Sequence, residues 1–174
     1  AADIKAVIYM AGKMGIRVNI YLEDWSNGMR NSQDYVLFLM DELQNENIER
    51  FMLPDTLGVL NPSETAEFCK KMIDRYPDLN FDFHAHNDYD LAIANLIAAI
   101  KTGIDCVHTT VNGLGERAGN APISSTIAVI NDHLKLKSSI DERMLTKISK
   151  LVESFSGIRI PANKPLIGDF VFTQ

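Results

Sequence analysis

Cysteine, basic runs and long apolar stretches are what this 174-residue sequence has least of. Its two cysteines, Cys69 and Cys106, lie far apart and form no Cys-x-x-Cys pair, so free buried thiols are expected rather than a disulfide framework. No stretch approaches the roughly 18 apolar residues of a membrane span. The opening Ala1-Ala2-Asp3-Ile4-Lys5 lacks a charged region followed by a long apolar one, which sets a cytoplasmic location as the expectation. A net charge of −6 and a pI near 5.2, without a basic cluster, argue against nucleic acid or an anionic membrane as the main partner. What is present is ordinary for a globular domain with a real core: 46% hydrophobic and 23% charged residues. A small-molecule substrate is therefore expected.

Strand-like segments recur at steps of about 30 residues, the spacing of βα units. They cover Val18 to Glu23, Phe51 to Asp55, Asn80 to His86 and Cys106 to Val111, each followed by a helical pattern, which predicts a parallel sheet. Asp3 to Gly15 reads as a preceding helix. Asn61-Pro62-Ser63-Glu64 is a helix start with a capping box, Gly103 closes the Ala- and Ile-rich helix from Asp90, and Ser139-Ile140-Asp141-Glu142 predicts a second capping box opening a last helix that stops near Gly157. Residues 138–174 then read as a last helix and an irregular connector, after the βα units of residues 1–137.

Alternation within the strands assigns their faces. Val18, Ile20 and Leu22 suit covering helices, while Asn19, Tyr21 and Glu23 share the opposite face; Asp82, His84 and His86 fall together, as do Cys106, His108, Thr110 and Asn112. A doubly wound sheet would be apolar on both faces. Polar residues on one face, gathered at strand C-termini, predict instead the interior of a (β/α)8 TIM barrel whose top is an active site. Four units are half of eight, so either the chain is a fragment of a longer one or two halves associate.

Two segments carry the chemistry. In His84-Ala85-His86-Asn87-Asp88 the two imidazoles share one strand face and can both ligate one ion. Asn112-Gly113-Leu114-Gly115-Glu116-Arg117-Ala118-Gly119-Asn120 is a glycine-rich loop in which the glycines permit tight turns and Glu116 with Arg117 offers an internal ion pair. His108 reads as a polar interior residue and His133 as an exposed helix residue.

These two segments, with Pro54-Asp55-Thr56-Leu57-Gly58 and Glu23-Asp24, resemble in order the 2-isopropylmalate, citramalate and homocitrate synthase family, over Val18 to the C-terminus. The resemblance implies the C-terminal half of a metal-dependent catalytic barrel that joins acetyl-CoA to a 2-oxo acid, in branched-chain amino-acid (leucine or isoleucine) biosynthesis. It implies His84, His86 and Asn120 as ligands of a divalent ion (Zn, Mn, Mg or Co), which would polarise the oxo-acid carbonyl. Thr56 resembles the hydroxyl that holds the oxo-acid carboxylate, with a helix cap as its other reading. Glu23 resembles the catalytic carboxylate, the alternative being a salt-bridged barrel residue, and Glu116 is a second catalytic candidate. A homodimer is the expected assembly.

Two features of that family are missing from the sequence: a first strand supplying an Asp ligand with neighbouring Arg and Glu, and a downstream His acting on the acetyl methyl. The 174 residues alone are therefore expected not to turn over. Tyr21, two residues before Glu23, faces the same interior and should narrow the substrate pocket, favouring pyruvate over the branched 2-oxoisovalerate, although one methylene is worth only about 1–3 kcal/mol. Other readings are a metal-dependent aldolase or acyl-CoA lyase on the same barrel, and a noncatalytic half-barrel with an exposed apolar edge.

Overall fold

The computed structural model describes residues 2–171; the last three residues of the expected connector lie outside them. Four parallel strands run in the order β1 (Asn19–Tyr21), β2 (Arg50–Asp55), β3 (Phe81–Ala85), β4 (Cys106–His108), so that sequence neighbours are also sheet neighbours. Helix α1 (Ala2–Lys13) precedes them. α2 (Trp25–Asn31) and α3 (Gln33–Leu43) follow β1, α4 (Pro62–Arg75) follows β2, α5 (Ala92–Thr102) follows β3, and α6 (Ile123–Asp132) and α7 (Leu145–Ser156) follow β4.

Parallel pairing places Pro54 beside His84 and His84 beside His108, while Met52, Asp82 and Cys106 form the row below. The other face carries Phe51, Leu53, Phe81, Phe83 and Ala85, all buried with Leu43, Met72 and Leu96 of the covering helices. Each such large side chain contributes roughly 2–3 kcal/mol through burial. One face is thus sealed by helices and the other is polar, as a barrel wall requires and a doubly wound sheet does not.

Capping chemistry explains where the helices start. The Asn61 side chain accepts from the Glu64 N–H and the Glu64 carboxylate accepts from the Asn61 N–H, with Pro62 in the first turn, so the predicted box forms. Gly103 ends α5 at φ +100°, a conformation that costs glycine little. The second predicted box does not form: Asp141, rather than Ser139, accepts from the Arg143 N–H and opens a short 3₁₀ turn ahead of α7. Similarly, α5 starts two residues after Asp90, because Asp90 adopts φ +58° and the Asn87 side chain receives the Ala92 N–H.

Strand ends also differ from expectation. β4 stops at His108 rather than Val111, since the chain turns into a 3₁₀ segment over Val111–Gly113 in which Asn112 takes φ +61°. β3 stops at Ala85, and His86 continues only as an isolated antiparallel bridge to Asn120. Cys69 is buried, its thiol pushed up to about 12 by burial, whereas Cys106 is exposed, which corrects the expectation of two buried thiols. His133 is exposed, as read. No helix among the described residues is long and apolar enough to cross a membrane.

Candidate metal and substrate site

The strand ends and the loops that leave them gather the functional candidates at one end of the sheet. β3 delivers His84 and His86 to the same face, where their Nε2 atoms lie 3.3 Å apart and the rings meet edge-on. Two nitrogens bound to one ion at ~2.0–2.1 Å would be separated by ~3.0–3.4 Å, so the pair is spaced as neighbouring ligands are. Burial, with the nearby His86 and His108 rings, pushes His84 down to about 4, keeping it neutral and its lone pair available near pH 7.

Asn120 joins them through the bridge to His86. Its amide nitrogen donates to the Leu114 carbonyl at 3.2 Å, and its side-chain carbonyl oxygen is buried without a partner among the described residues. A buried acceptor of this kind is costly unless something fills it. The glycines make the placement possible: a Cβ at Gly115 would overlap the Asn120 side chain, and one at Gly119 would overlap the Gly113 carbonyl. Gly113 and Gly119 also have positive φ, 71° and 90°. Two imidazoles and an orphaned amide oxygen fit a divalent ion of borderline character. Among the described residues no group of three or more His, Cys, Asp and Glu could hold a metal, so no acidic ligand completes the set within them.

Thr56 and Asp24, the residue after Glu23, meet from adjacent strand ends. The Thr56 hydroxyl accepts the Asp24 N–H at 3.0 Å, leaving its own O–H free to donate. It caps no helix, since α4 is capped by Asn61. The loop bearing Thr56 is shaped by the buried Asp55 carboxylate, which accepts from the Val59 and Leu60 N–H groups at 3.0 and 3.1 Å; burial raises its pKa while those two bonds oppose the rise. Glu23 is exposed on the open face, makes none of the ion pairs formed among the described residues, and acts electrostatically on both His84 and Tyr21. Its reading as a salt-bridged residue is not supported.

The expected Glu116–Arg117 pair is a minor contact at 3.4 Å. Arg117 instead forms a two-toothed pair with Asp88 at 2.7 and 2.9 Å and donates to the Thr56 carbonyl at 2.7 Å, clasping the loops after β2, β3 and β4. Glu116 has a side chain 80% exposed. Sequence reading missed Asp88 as this partner, although it stands within the His84–Asp88 motif. Replacing Arg117 with alanine should loosen Asn120 and weaken divalent-ion affinity about tenfold or more, measured by calorimetry, with unchanged affinity counting against the clasp.

A pH effect follows from His84. An unfolded histidine titrates near 6.5, so between about 6.5 and about 4 the unfolded chain binds the extra proton and stability falls as pH falls. The loss is at most ~3 kcal/mol for this one group. Urea melts at pH 7 and pH 4.5 should show it, and should show less in His84→Ala; an equal loss in both would assign it elsewhere.

Four parallel strands sealed by helices on one face, with an imidazole pair at the C-terminal end of the other, define the class: a partial (β/α)8 barrel. The HMGL-like family profile matches residues 1–152, and the chain belongs to that family. It is 38% identical to the homocitrate synthase of Sulfolobus acidocaldarius over 172 residues, 99% of this chain and 36% of that protein. The homocitrate synthase of Sulfurisphaera tokodaii is likewise 38% identical, over 97% of this chain and 36% of its own length. The chain thus spans little more than a third of these relatives. In fold it resembles the HMG-CoA lyase of Bacillus subtilis, with a TM-score of 0.79 at 23% identity over 91% of this chain and 56% of that one. The carboxyl transferase domain of Rhizobium etli pyruvate carboxylase gives 0.75 at 18% identity, covering 89% and 27%.

Proposed function

We propose that this site serves a metal-dependent Claisen-type condensation of acetyl-CoA with a 2-oxo acid, giving an alkylmalate such as citramalate or 2-isopropylmalate. The observation that carries the reading is the approach of the His84 and His86 Nε2 atoms to 3.3 Å, with His86 bridged through its backbone to Asn120, whose buried side-chain oxygen has no partner among the described residues. These three residues would hold the ion, whether Zn, Mn, Mg or Co, and when bound it supplies Lewis-acid polarisation of the oxo-acid carbonyl. Thr56 donates its free O–H to the substrate carboxylate. Glu23 places its carboxylate beside the reacting carbons. Glu116, exposed and in only a minor contact with Arg117, is assigned no part at the reacting atoms, a change from the reading of the sequence.

The acceptor is proposed to be a monocarboxylic 2-oxo acid. Tyr21 stands on the interior face with its ring centroid 6.4 Å from that of His84, narrowing the space there. The guanidinium on the same face, Arg50, is already held by the buried Asp82 carboxylate at 2.5 Å. A homocitrate-type product carries three carboxylates, so its oxo-acid precursor carries two, and the described part of this face offers the second one no free cation. Residues 138–174 are proposed to lead into an accessory subdomain, and the active assembly is proposed to be a homodimer.

A second reading, a noncatalytic half-barrel module, is favoured by one observation: a groove of about 620 Å³ along the free edge of β1, lined by Ile4, Ile20, Leu22, Val36 and Leu39. The two are separated by offering acetyl-CoA with pyruvate, 2-oxoisovalerate or 2-oxoglutarate and weighing the products by mass spectrometry. Condensation predicts a product with one of the first two; a folded, metal-binding protein that yields none supports the module. In the active protein, Tyr21→Ser should shift preference toward 2-oxoisovalerate by about tenfold or more. Unchanged selectivity would remove Tyr21 from the pocket.

A further inference from the structure

His108 is the interior imidazole that the condensation reading leaves without a task, and its two hydrogen bonds select the tautomer of the neutral ring. Asp82, buried, receives Arg50 Nε on one carboxylate oxygen at 2.5 Å and faces His108 Nε2 with the other at 3.1 Å. A carboxylate paired with a guanidinium has no proton to give, so His108 Nε2 carries the hydrogen and donates it. In a neutral imidazole Nδ1 is then an acceptor. The Tyr21 hydroxyl lies 3.1 Å from that Nδ1 and therefore donates to it.

This bond matters because Tyr21 has little else to hold it. The residue sits at the end of the edge strand β1, is 51% exposed, and makes no other side-chain hydrogen bond among the described residues. Its phenol nevertheless stands edge-on to His84, at 79° between ring planes. Sheet register brings the two ends together: His84 pairs with His108, and Asp82 is one row below on the same face.

We propose that His108 is a positioning residue for substrate choice: held by the Arg50–Asp82 pair, it pins the Tyr21 phenol as a wall beside the imidazole pair and turns only the oxygen lone pairs into the pocket. A short, uncharged acceptor tail fits against that wall. A branched tail meets it sterically, and a second carboxylate meets an acceptor rather than a donor. The proposal rests on the condensation reading for its substrate and on the hydrogen-bond chain for its geometry.

A double-mutant cycle tests it, in the protein as its gene encodes it. The ratio of kcat/KM for pyruvate over 2-oxoisovalerate should fall about three- to tenfold in His108→Ala and in Tyr21→Phe, as loss of one hydrogen bond allows. The double variant should fall no further than either single one. A ratio unmoved by His108→Ala, or one that drops equally in the Tyr21→Phe background, overturns the proposal. ¹⁵N spectra of the His108 ring need no turnover: protonated Nε2 with an Nδ1 signal that moves in Tyr21→Phe supports it, and the opposite tautomer or a still Nδ1 overturns it. If no oxo acid is condensed, the functional reading falls, while the ring spectra still decide whether His108 holds Tyr21.

Discussion

Replacing His84 with alanine is expected to lower thiol release from acetyl-CoA about a thousandfold or more and to remove most divalent-ion affinity, while the protein still folds. The size follows from losing a ligand whose ion stabilises several kcal/mol of developing charge, at tenfold in rate for each ~1.4 kcal/mol. Folding should survive because His84 lies on the open polar face, away from the core of Phe81, Phe83 and Leu53. Among the described residues the His84 side chain has no hydrogen-bond contact other than that with His86, so its removal strands no distant partner. A rate loss below tenfold would mean that the imidazole pair is not where the ion sits. Steady-state kinetics alongside circular dichroism separate these outcomes.

Gly119→Ala should be the most damaging single methyl in the molecule. The residue has φ +90°, and its added Cβ would overlap the Gly113 carbonyl oxygen, part of the backbone and unable to swing aside. Gly113 itself receives the Asn120 N–H on that carbonyl at 3.0 Å, and the Gly119 carbonyl receives the Asn87 N–H at 2.9 Å. The substitution therefore strains the loop at the two points that join it to itself and to the loop after β3. We expect a loss of about 3–5 kcal/mol in urea unfolding together with loss of ion binding. Gly157→Ala is the control: it shares a positive φ of 71° but has nothing near its Cβ, and should cost about 1 kcal/mol. Equal losses at the two sites would show that conformation alone, not the close approach, is at work.

Period-two alternation was enough to place His84 and His86 on one face and Tyr21 with Glu23 on another strand's matching face, because strand geometry leaves no other option. It did not tell where strands end. β4 gives way after His108 because the following residues pair with Pro122 and turn through Asn112, a matter of contacts more than ten residues away. Arg117 was assigned to its neighbour Glu116 for the same reason: the stronger partner, Asp88, lies 29 residues off in sequence and comes within reach only once β3 and β4 are paired. The Tyr21–His108–Asp82–Arg50 chain spans all four strands, so it requires the register itself. Local helix signals fared by their mechanism. Asn61 and Glu64 satisfied each other, whereas Ser139 lost its cap position to Asp141, which reaches the Arg143 N–H and guanidinium together.

The most direct test of the account is metal-dependent thiol release by the protein as its gene encodes it. After chelator treatment and dialysis, acetyl-CoA and pyruvate would be supplied with and without added Mn or Mg, for the unaltered protein and for His84→Ala. The account predicts no release without metal, restoration on adding it, and no restoration in the variant. Release that proceeds at full rate after the metal is stripped, or that His84→Ala leaves intact, would contradict a condensing site built on this imidazole pair.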